Sequence, residues 1–370
     1  MTYREIETLP ALAELLNSND PIDHIAFQNL NFYEVEELAK TKTFSECLFM
    51  GCDIPDSIIH DVEDSSIIFP KMAMPFNLYP SHLYTRDTLF EGYTTGRPDT
   101  YNACPDKLIY DYYLNTGKEA ENIKDTLARR LHDHSITDAL YDFLEQFDER
   151  KIVAIMGGHN MLRSAEAYEA MVMVSKKLTE EGYLMVSGGG PGAMEATHVG
   201  AYFAGKDRGR VREALDILKQ APSYKDTLWL DKAFEVMGEH GPSPFYSVGI
   251  PTWLYGHEPP NPFASHIAKY FANSVREDGL LTIAKGGIIY APGSAGTMQE
   301  IFQDTTQNHY KSFGYASPMV FFDSDYWTKN RPVYPLLKSL AEQEKLHNMI
   351  LSLTDTPEQV LEEIRKFTRV

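Results

Sequence analysis

The amino-acid sequence predicts an α/β protein built on a doubly wound, mostly parallel sheet, with an additional α/β domain at its N-terminus. Short apolar segments typical of buried strands alternate with segments of helical periodicity along most of the 370 residues. Two of these strands lead into glycine-rich turns that begin helices. The length suits two domains, which we place at residues 1–148 and 149–370.

The N-terminal domain is predicted to contain one helix, three short strands and a long closing helix. The first helix covers residues 5–16, the strands residues 24–27, 46–50 and 66–69, and the long helix residues 125–147. His132 and His134 have no ligand-like grouping, so we expect them on a solvated helix face.

Residues 70–105 are rich in Pro, Tyr, Thr and Asp and predict an irregular loop. Long loops in compact proteins are often functional. One interpretation is a lid over a ligand site, or a dimer contact, with Arg86 and Arg97 as anion contacts. The other is packing between domains, which is the simpler reading.

The larger domain is predicted to alternate strands and helices to its end. The predicted strands are residues 151–156, 183–186, 245–251, 286–291, 317–322 and 347–353. The predicted helices are residues 164–181, 191–204, 207–220, 227–238 and 262–276, one that begins at Thr297, and a terminal helix capped by Thr356 and Gln359.

The two glycine-rich turns are the strongest functional signal in the sequence. One is Ser187-Gly-Gly-Gly-Pro-Gly-Ala-Met-Glu195, and the other runs from Pro292 to Glu300 as Pro-Gly-Ser-Ala-Gly-Thr-Met-Gln-Glu. Each would place a helix N-terminus at the carboxyl edge of the sheet, where N–H groups and the helix dipole favour a phosphate. The structural alternative for the second turn is a capping box, with Thr297 as the N-cap and Glu300 reaching back to it.

Together the two turns resemble the paired signatures of the LOG family. Its members are Rossmann-like nucleoside 5′-monophosphate phosphoribohydrolases that are often mislabelled lysine decarboxylases. The family pattern is Pro-Gly-Gly-x-Gly-Thr-x-x-Glu, preceded by an arginine that Arg276 matches. Ser294 replaces the second glycine, and Gln299 stands where the family often has Glu. The resemblance begins near residue 151 and makes residues 206–244 an insertion relative to short plant-type members.

The resemblance implies hydrolysis of a nucleoside 5′-monophosphate to free base and ribose 5-phosphate, with Arg276 and Glu300 as catalytic residues. Glu300 would handle the attacking water and stabilise the ribose cation, while Arg276 would hold Glu300 or the substrate. The implied substrate contacts are Gly157, Gly158, Gly188, Gly189, Gly190, Gly192, Met194, Glu195, Gly293, Ser294, Gly296 and Thr297. His159 would touch phosphate or base, and the insertion helices would frame the base pocket. The family also implies a dimer or higher oligomer and needs no metal or other cofactor.

Alternatives remain open for several of these residues and for the function. Glu195 also suits a purely structural place in the first turn of a helix, and Arg276 suits a surface salt bridge with Glu277 or Asp278. Ser294 and Gln299 leave open a nucleotide sensor that binds without turnover. A pyridoxal-phosphate decarboxylase would need a Schiff-base lysine, but Lys285 precedes its strand and lies at the wrong edge of the sheet.

The composition limits the classes of partner. The chain has 53 acidic and 34 basic residues, for a net charge of −19, which argues against non-specific binding to nucleic acid or anionic membranes. Cys47, Cys52 and Cys104 form neither a disulfide framework nor a spaced zinc site. We find no signal-peptide pattern and no apolar run of membrane-spanning length, so we expect a cytoplasmic protein.

Overall fold

The computed structural model describes residues 3–119 and 121–368, which form two compact units. The first unit combines the chain up to Leu83 with Leu114–Asp142, and the second combines Tyr84–Tyr113 with the chain from Phe143 onward. The segment Tyr84–Tyr113 therefore belongs to the second unit, whereas a single boundary at residue 148 would assign it to the first.

The first unit is a small parallel α/β layer, as the sequence predicts. Its elements are β1 (Arg4–Ile6), α1 (Leu9–Asn17), β2 (Ile22–Asp23), β3 (Ile25–Gln28), α2 (Glu36–Ala39), β4 (Phe44–Ser45), β5 (Leu48–Met50), α3 (Asp56–Ser65) and β6 (Ile67–Phe69). The sheet order is β1-β3-β5-β6, with a separate β2-β4 pair. Four buried rings, those of Phe27, Phe32, Phe44 and Phe49, form the centre of its core.

Two predictions for the first unit are wrong. The helix predicted over residues 5–16 starts too early, because Glu5 and Ile6 belong to β1 and the helix begins at Leu9, where the Thr8 hydroxyl caps it. His132 is buried rather than solvated, packed edge-on against Phe76 at 5.6 Å between ring centroids. His134 is exposed, as expected.

The predicted irregular loop of residues 70–105 contains only short helical pieces. One of these pieces is α4 (Arg86–Leu89), and the chain then forms α5 (Pro105–Asn115) and α6 (Ile123–Leu144). Asp106 ties the segment Tyr84–Tyr113 to the rest of the second unit. Its fully buried carboxylate accepts hydrogen bonds from Lys269 Nζ at 2.5 Å, Trp253 Nε1 at 3.2 Å and Tyr101 OH at 2.8 Å.

The second unit is a doubly wound parallel sheet, and this prediction is confirmed. Its sheet order is β10-β9-β8-β7-β11-β12-β13, and every neighbouring pair is parallel. The elements are β7 (Ile152–Met156), α7 (Glu166–Glu180), β8 (Leu184–Ser187), α8 (Ala193–Tyr202), α9 (Arg208–Leu218), α10 (Trp229–His240), β9 (Ser247–Gly249), β10 (His266–Ile267), α11 (Asn273–Ile283), β11 (Gly287–Tyr290), α12 (Ala295–Tyr310), β12 (Pro318–Phe322), α13 (Val333–Glu342), β13 (Ile350–Thr354) and α14 (Pro357–Thr368).

The winding direction reverses between β7 and β11, which lie side by side in the middle of this sheet. From β7 the chain proceeds through β8 and β9 to one edge, then returns to β11 and proceeds to β13 at the other edge. Such a reversal leaves a crevice at the carboxyl ends of the two central strands, and ligands of open α/β sheets bind there.

The predicted helix over residues 262–276 is wrong. These residues instead form β10 and extended chain alongside β9, and α11 begins only at Asn273. The apolar spacing of Phe263, Ile267 and Phe271 suited a helix, but these side chains are buried because the segment closes the edge of the sheet. The correction moves Arg276 from the end of one helix to the first turn of another.

The core of the second unit lies on both faces of the sheet. All five residues of β7 are buried, and Val153 and Ile155 belong to one apolar cluster with Met171 and Val174 of α7. Each such side chain contributes about 2 kcal/mol by burial. None of the helices within the described residues is both long and apolar enough to cross a membrane.

Candidate functional site

A cavity of about 390 Å³ opens at the carboxyl ends of β7, β8 and β11, where the winding direction reverses. We call it the switch-point cavity. Its wall consists of Gly157, Gly158, His159, Gly188, Gly190, Met194, Pro251, Thr252, Tyr255, Glu258, Arg276, Glu277, Ser294, Ala295, Gly296, Thr297, Gln299 and Glu300. Ten of the fourteen predicted site residues are in this wall, and Gly189, Gly192, Glu195 and Gly293 are not.

The first glycine turn joins β8 to α8 and needs glycine for its backbone shape. Gly189 and Gly192 both have φ of +70°, in the left-handed region that L side chains rarely adopt. The Ser187 hydroxyl accepts the Gly189 N–H at 3.1 Å and is paired with His198 Nε2 at 2.8 Å. Gly189 and Gly192 thus determine the backbone shape of the turn, and Gly188 and Gly190 line the cavity.

The second glycine turn joins β11 to α12. The Tyr326 hydroxyl donates to the Gly293 carbonyl, and a methyl group on Gly293 would overlap the Thr297 hydroxyl. Helix α12 begins at Ala295 with Ser294 as its N-cap, and no side chain caps it. Ser294 has φ of −120°, so the position where the family has glycine does not require a left-handed backbone.

Gly158 connects the two turns. Its N–H donates to the Pro292 carbonyl at 3.0 Å, and its carbonyl accepts the N–H of Ala193, the first residue of α8, at 3.3 Å. A side chain on Gly192 would overlap the Gly158 carbonyl, so the backbones at residues 158 and 192 can lie this close only because residue 192 is glycine. As a result, the N-termini of α8 and α12 meet at one cavity.

The structural alternative for the second turn, a capping box with Thr297 as the N-cap, is not what the structure forms. Thr297 is the third residue of α12 and not its N-cap, so Glu300 is too far along the helix to reach the cap position. Within residues 3–119 and 121–368 no hydrogen bond to the Glu300 carboxylate is found. Glu300 instead lines the switch-point cavity, half-buried.

The surroundings of Glu300 bring its pKa close to neutral pH. Burial raises the pKa of Glu300 to about 7; the Arg276 charge lowers it, and the Glu277 charge raises it. A carboxyl with this pKa exists in both protonation states at pH 7, which is what a general acid or base requires.

Arg276 is fixed in place by backbone carbonyls and is not on the surface. Its Nε donates to Ile250 O at 2.7 Å and its Nη2 donates to Gly188 O at 3.4 Å, and the residue is only 7% exposed. Its Nη1 lies 3.6 Å from Glu277 Oε1, and the other Glu277 oxygen accepts a hydrogen bond from Gln299. The guanidinium therefore reaches the cavity wall already oriented.

The structure does not bring Glu195 to the cavity, so the ribose contact implied by the resemblance has no support in the geometry. Glu195 lies in the first turn of α8, is fully buried, and accepts hydrogen bonds from Arg163 Nε at 2.8 Å and Arg163 Nη2 at 2.5 Å. The Tyr168 hydroxyl donates to it at 2.9 Å. Its role here is structural.

Other candidates also lie outside the cavity wall. Arg86 contacts Met237 and the Tyr202 ring, and Arg97 pairs with Asp99 on the surface. Lys285 pairs with Glu149 at 2.6 Å. Helices α9 and α10 pack on the core and none of their residues is in the wall, so the wall gives no support to the expectation that they frame the base pocket.

The loop after β9 supplies wall residues that the sequence did not single out, namely Thr252, Tyr255 and Glu258. Burial raises the pKa of Glu258, against the lowering effect of His257 and Arg276. His159 lies 3.6 Å from Glu258, and burial and then Lys225 lower the pKa of His159. The only sequence signal for this loop was its position after a strand of the predicted sheet.

No protein family and no curated protein matches the chain. Solved structures do resemble part of it. The molybdenum cofactor binding protein from Rippkaea orientalis is 13% identical, with 59% of this chain and 96% of that chain covered and a TM-score of 0.36. The molybdenum cofactor carrier protein from Chlamydomonas reinhardtii is 11% identical, with 59% and 98% covered and a TM-score of 0.37.

The structural genomics target TM1055 is 18% identical, with 58% of this chain and 98% of that chain covered and a TM-score of 0.37. Similarity at these levels assigns no function to the present chain.

Proposed function

We propose that this chain hydrolyses the N-glycosidic bond of a nucleoside 5′-monophosphate, giving free base and ribose 5-phosphate. The observation that carries the proposal is the convergence of two helix N-termini, Arg276 and Glu300 on one cavity. Its volume of about 390 Å³ falls in the range of small-molecule sites.

The phosphate would bind at the start of α12. No side chain caps this helix, so its first N–H groups are available to an anion, and the helix dipole favours negative charge there. Gly296 has no atom within 4 Å of the position a side chain would take, which leaves space for a phosphate group.

Glu300 would act at the anomeric carbon. N-glycoside cleavage develops positive charge on the ribose, which a nearby carboxylate stabilises, and the attacking water must lose a proton. With a pKa of about 7, Glu300 can accept that proton near neutral pH. Arg276 supports the ionised form of Glu300 and adds positive charge for the anionic substrate.

The test is a panel of nucleoside 5′-monophosphates incubated with the full-length protein, with chromatographic detection of free base and ribose 5-phosphate. Release of both products from one or more nucleotides is expected, with loss of release in Glu300→Gln. Thermal stabilisation by a nucleotide without either product would instead identify a nucleotide-binding protein without turnover. We also propose, from the family resemblance, a dimer or higher oligomer, which light scattering would measure.

A further inference from the structure

The charges in the wall of the switch-point cavity do not suit an anionic ligand alone. Three carboxylates, Glu258, Glu277 and Glu300, line the cavity, while Arg276 is the one lysine or arginine among its described wall residues. Arg276 lies 3.6 Å from Glu277, so this pair is largely compensated. The positive dipole ends at the helix N-termini would balance the negative charge of a phosphate. Arg276 also acts on Glu258 and Glu300, but one guanidinium faces three carboxylates, so carboxylate charge is in excess for the rest of the ligand.

Glu258 reaches the cavity from the loop after β9, beside the first glycine turn. Its Oε2 lies 3.7 Å from the position of a Cβ on Gly190, and only 13% of its side chain is exposed. Its neighbours within 4 Å that could carry positive charge are His159 and His257, each 3.6 Å from Oε1. No lysine or arginine among the described residues forms an ion pair with Glu258 within 4.0 Å, and the Arg276 charge acts on it from farther away.

Tyr255 belongs to the same loop and lines the same wall. Buried Trp253 anchors this loop, because its ring stacks on Phe271 at 4.4 Å between centroids and its Nε1–H donates to Asp106. A carboxylate and an aromatic ring in one wall can together bind an organic cation, through direct charge attraction and the ring quadrupole.

We propose that the substrate of this site is a ribonucleoside 5′-monophosphate whose base carries a positive charge, such as a pyridinium ring, and that Glu258 and Tyr255 recognise that ring. The inference rests on the proposed function and names its substrate class. A cationic base also simplifies the chemistry. The N–C1′ bond breaks with its electron pair passing to the ring nitrogen, and the base leaves neutral without a proton. The water oxygen bonds to C1′, and the proton it loses passes to Glu300.

The experiment compares ligands of nearly equal shape and different ring charge. Nicotinamide mononucleotide has a cationic ring, and its reduced form has a neutral one. Binding is measured by calorimetry on full-length Glu300→Gln, so that ligand is not consumed. We expect the oxidised form to bind about tenfold tighter, as a cation beside a carboxylate and an aromatic ring should. N7-methylated against unmethylated GMP repeats the comparison on a purine and separates ring charge from pyridinium shape.

The variant arm adds Glu258→Gln, which should reduce the oxidised-to-reduced preference at least threefold. Glu145→Gln removes the same charge from an exposed position outside the cavity and should leave the preference unchanged. Equal binding of the oxidised and reduced forms would overturn the inference, and this arm needs no variant at Glu258. If nucleotides with neutral bases are cleaved and ring charge has no effect on binding, the proposed function stands and the inference about the cationic base fails. If no monophosphate binds, both fail.

Discussion

Replacing Glu277 by Gln should shift the pH dependence of catalysis toward acid. Glu277 raises the pKa of Glu300, and it also lies 3.6 Å from Arg276, whose charge lowers that pKa. Neutralising Glu277 removes a like charge and frees Arg276 to act on Glu300, so both effects lower the pKa of Glu300. The hydrogen bond between Gln299 and residue 277 can persist with Gln as the acceptor.

The sign and size follow from the ionised fraction of Glu300. A general base works when ionised, so activity rises with pH through its pKa of about 7. About 9% of the groups would be ionised at pH 6 and about 90% at pH 8. A decrease of about 0.5–1 pKa unit raises the ionised fraction at pH 6 to about 25–50%, roughly a threefold to fivefold gain relative to the plateau.

The assay is the pH profile of kcat/KM, which reports the free enzyme, with the acid limb compared between proteins. Asp278→Asn is the matched control, because Asp278 is the next residue on α11, exposed and outside the cavity wall. The control shares any titration of the substrate phosphate, whose second pKa is about 6. An acid limb that stays in place in Glu277→Gln, or moves to higher pH, would refute this account of Glu300.

Four further outcomes are expected. Glu300→Gln should lower kcat by about 10²–10⁴-fold while nucleotide affinity by calorimetry changes little; a kcat near wild type would remove Glu300 from the mechanism. Gly293→Ala should weaken nucleotide binding, because the methyl group overlaps the Thr297 hydroxyl, whereas Gly279→Ala, with no atom within 4 Å, should bind normally. Glu195→Ala should lower the free energy of unfolding in urea by about 3–5 kcal/mol, because Arg163 is left buried without its partner; a loss under about 1 kcal/mol would contradict this. Asp106→Ala should destabilise by a similar amount, since buried Lys269 loses its carboxylate, and Asp99→Ala on the surface should not.

The strands and turns of the second unit could be predicted because their signals are local. The buried run of β7 and the glycines before α8 and α12 each specify an element within a few residues. The cap of α14 is equally local. The Gln359 N–H donates to the Thr356 hydroxyl at 3.4 Å, and the Thr356 N–H donates to the side-chain Oε1 of Gln359 at 3.2 Å, as predicted.

The features that were missed depend on partners distant in sequence. Lys269 is buried because Asp106, far earlier in the chain, meets it, and the extended segment around Lys269 follows from that packing rather than from local periodicity. Glu195 looked like a ligand contact until Arg163 and Tyr168 were seen to enclose it. Glu258 lies in a loop with no recognisable motif, and only the fold brings it to the cavity.

The most direct test is a crystal structure of Glu300→Gln bound to a nucleoside 5′-monophosphate that the wild-type protein cleaves or binds. The phosphate should accept hydrogen bonds from backbone N–H groups at the start of α12, with C1′ about 3–4 Å from the residue 300 side chain. A nucleotide bound outside the switch-point cavity, or one whose C1′ faces away from residue 300, would contradict the account.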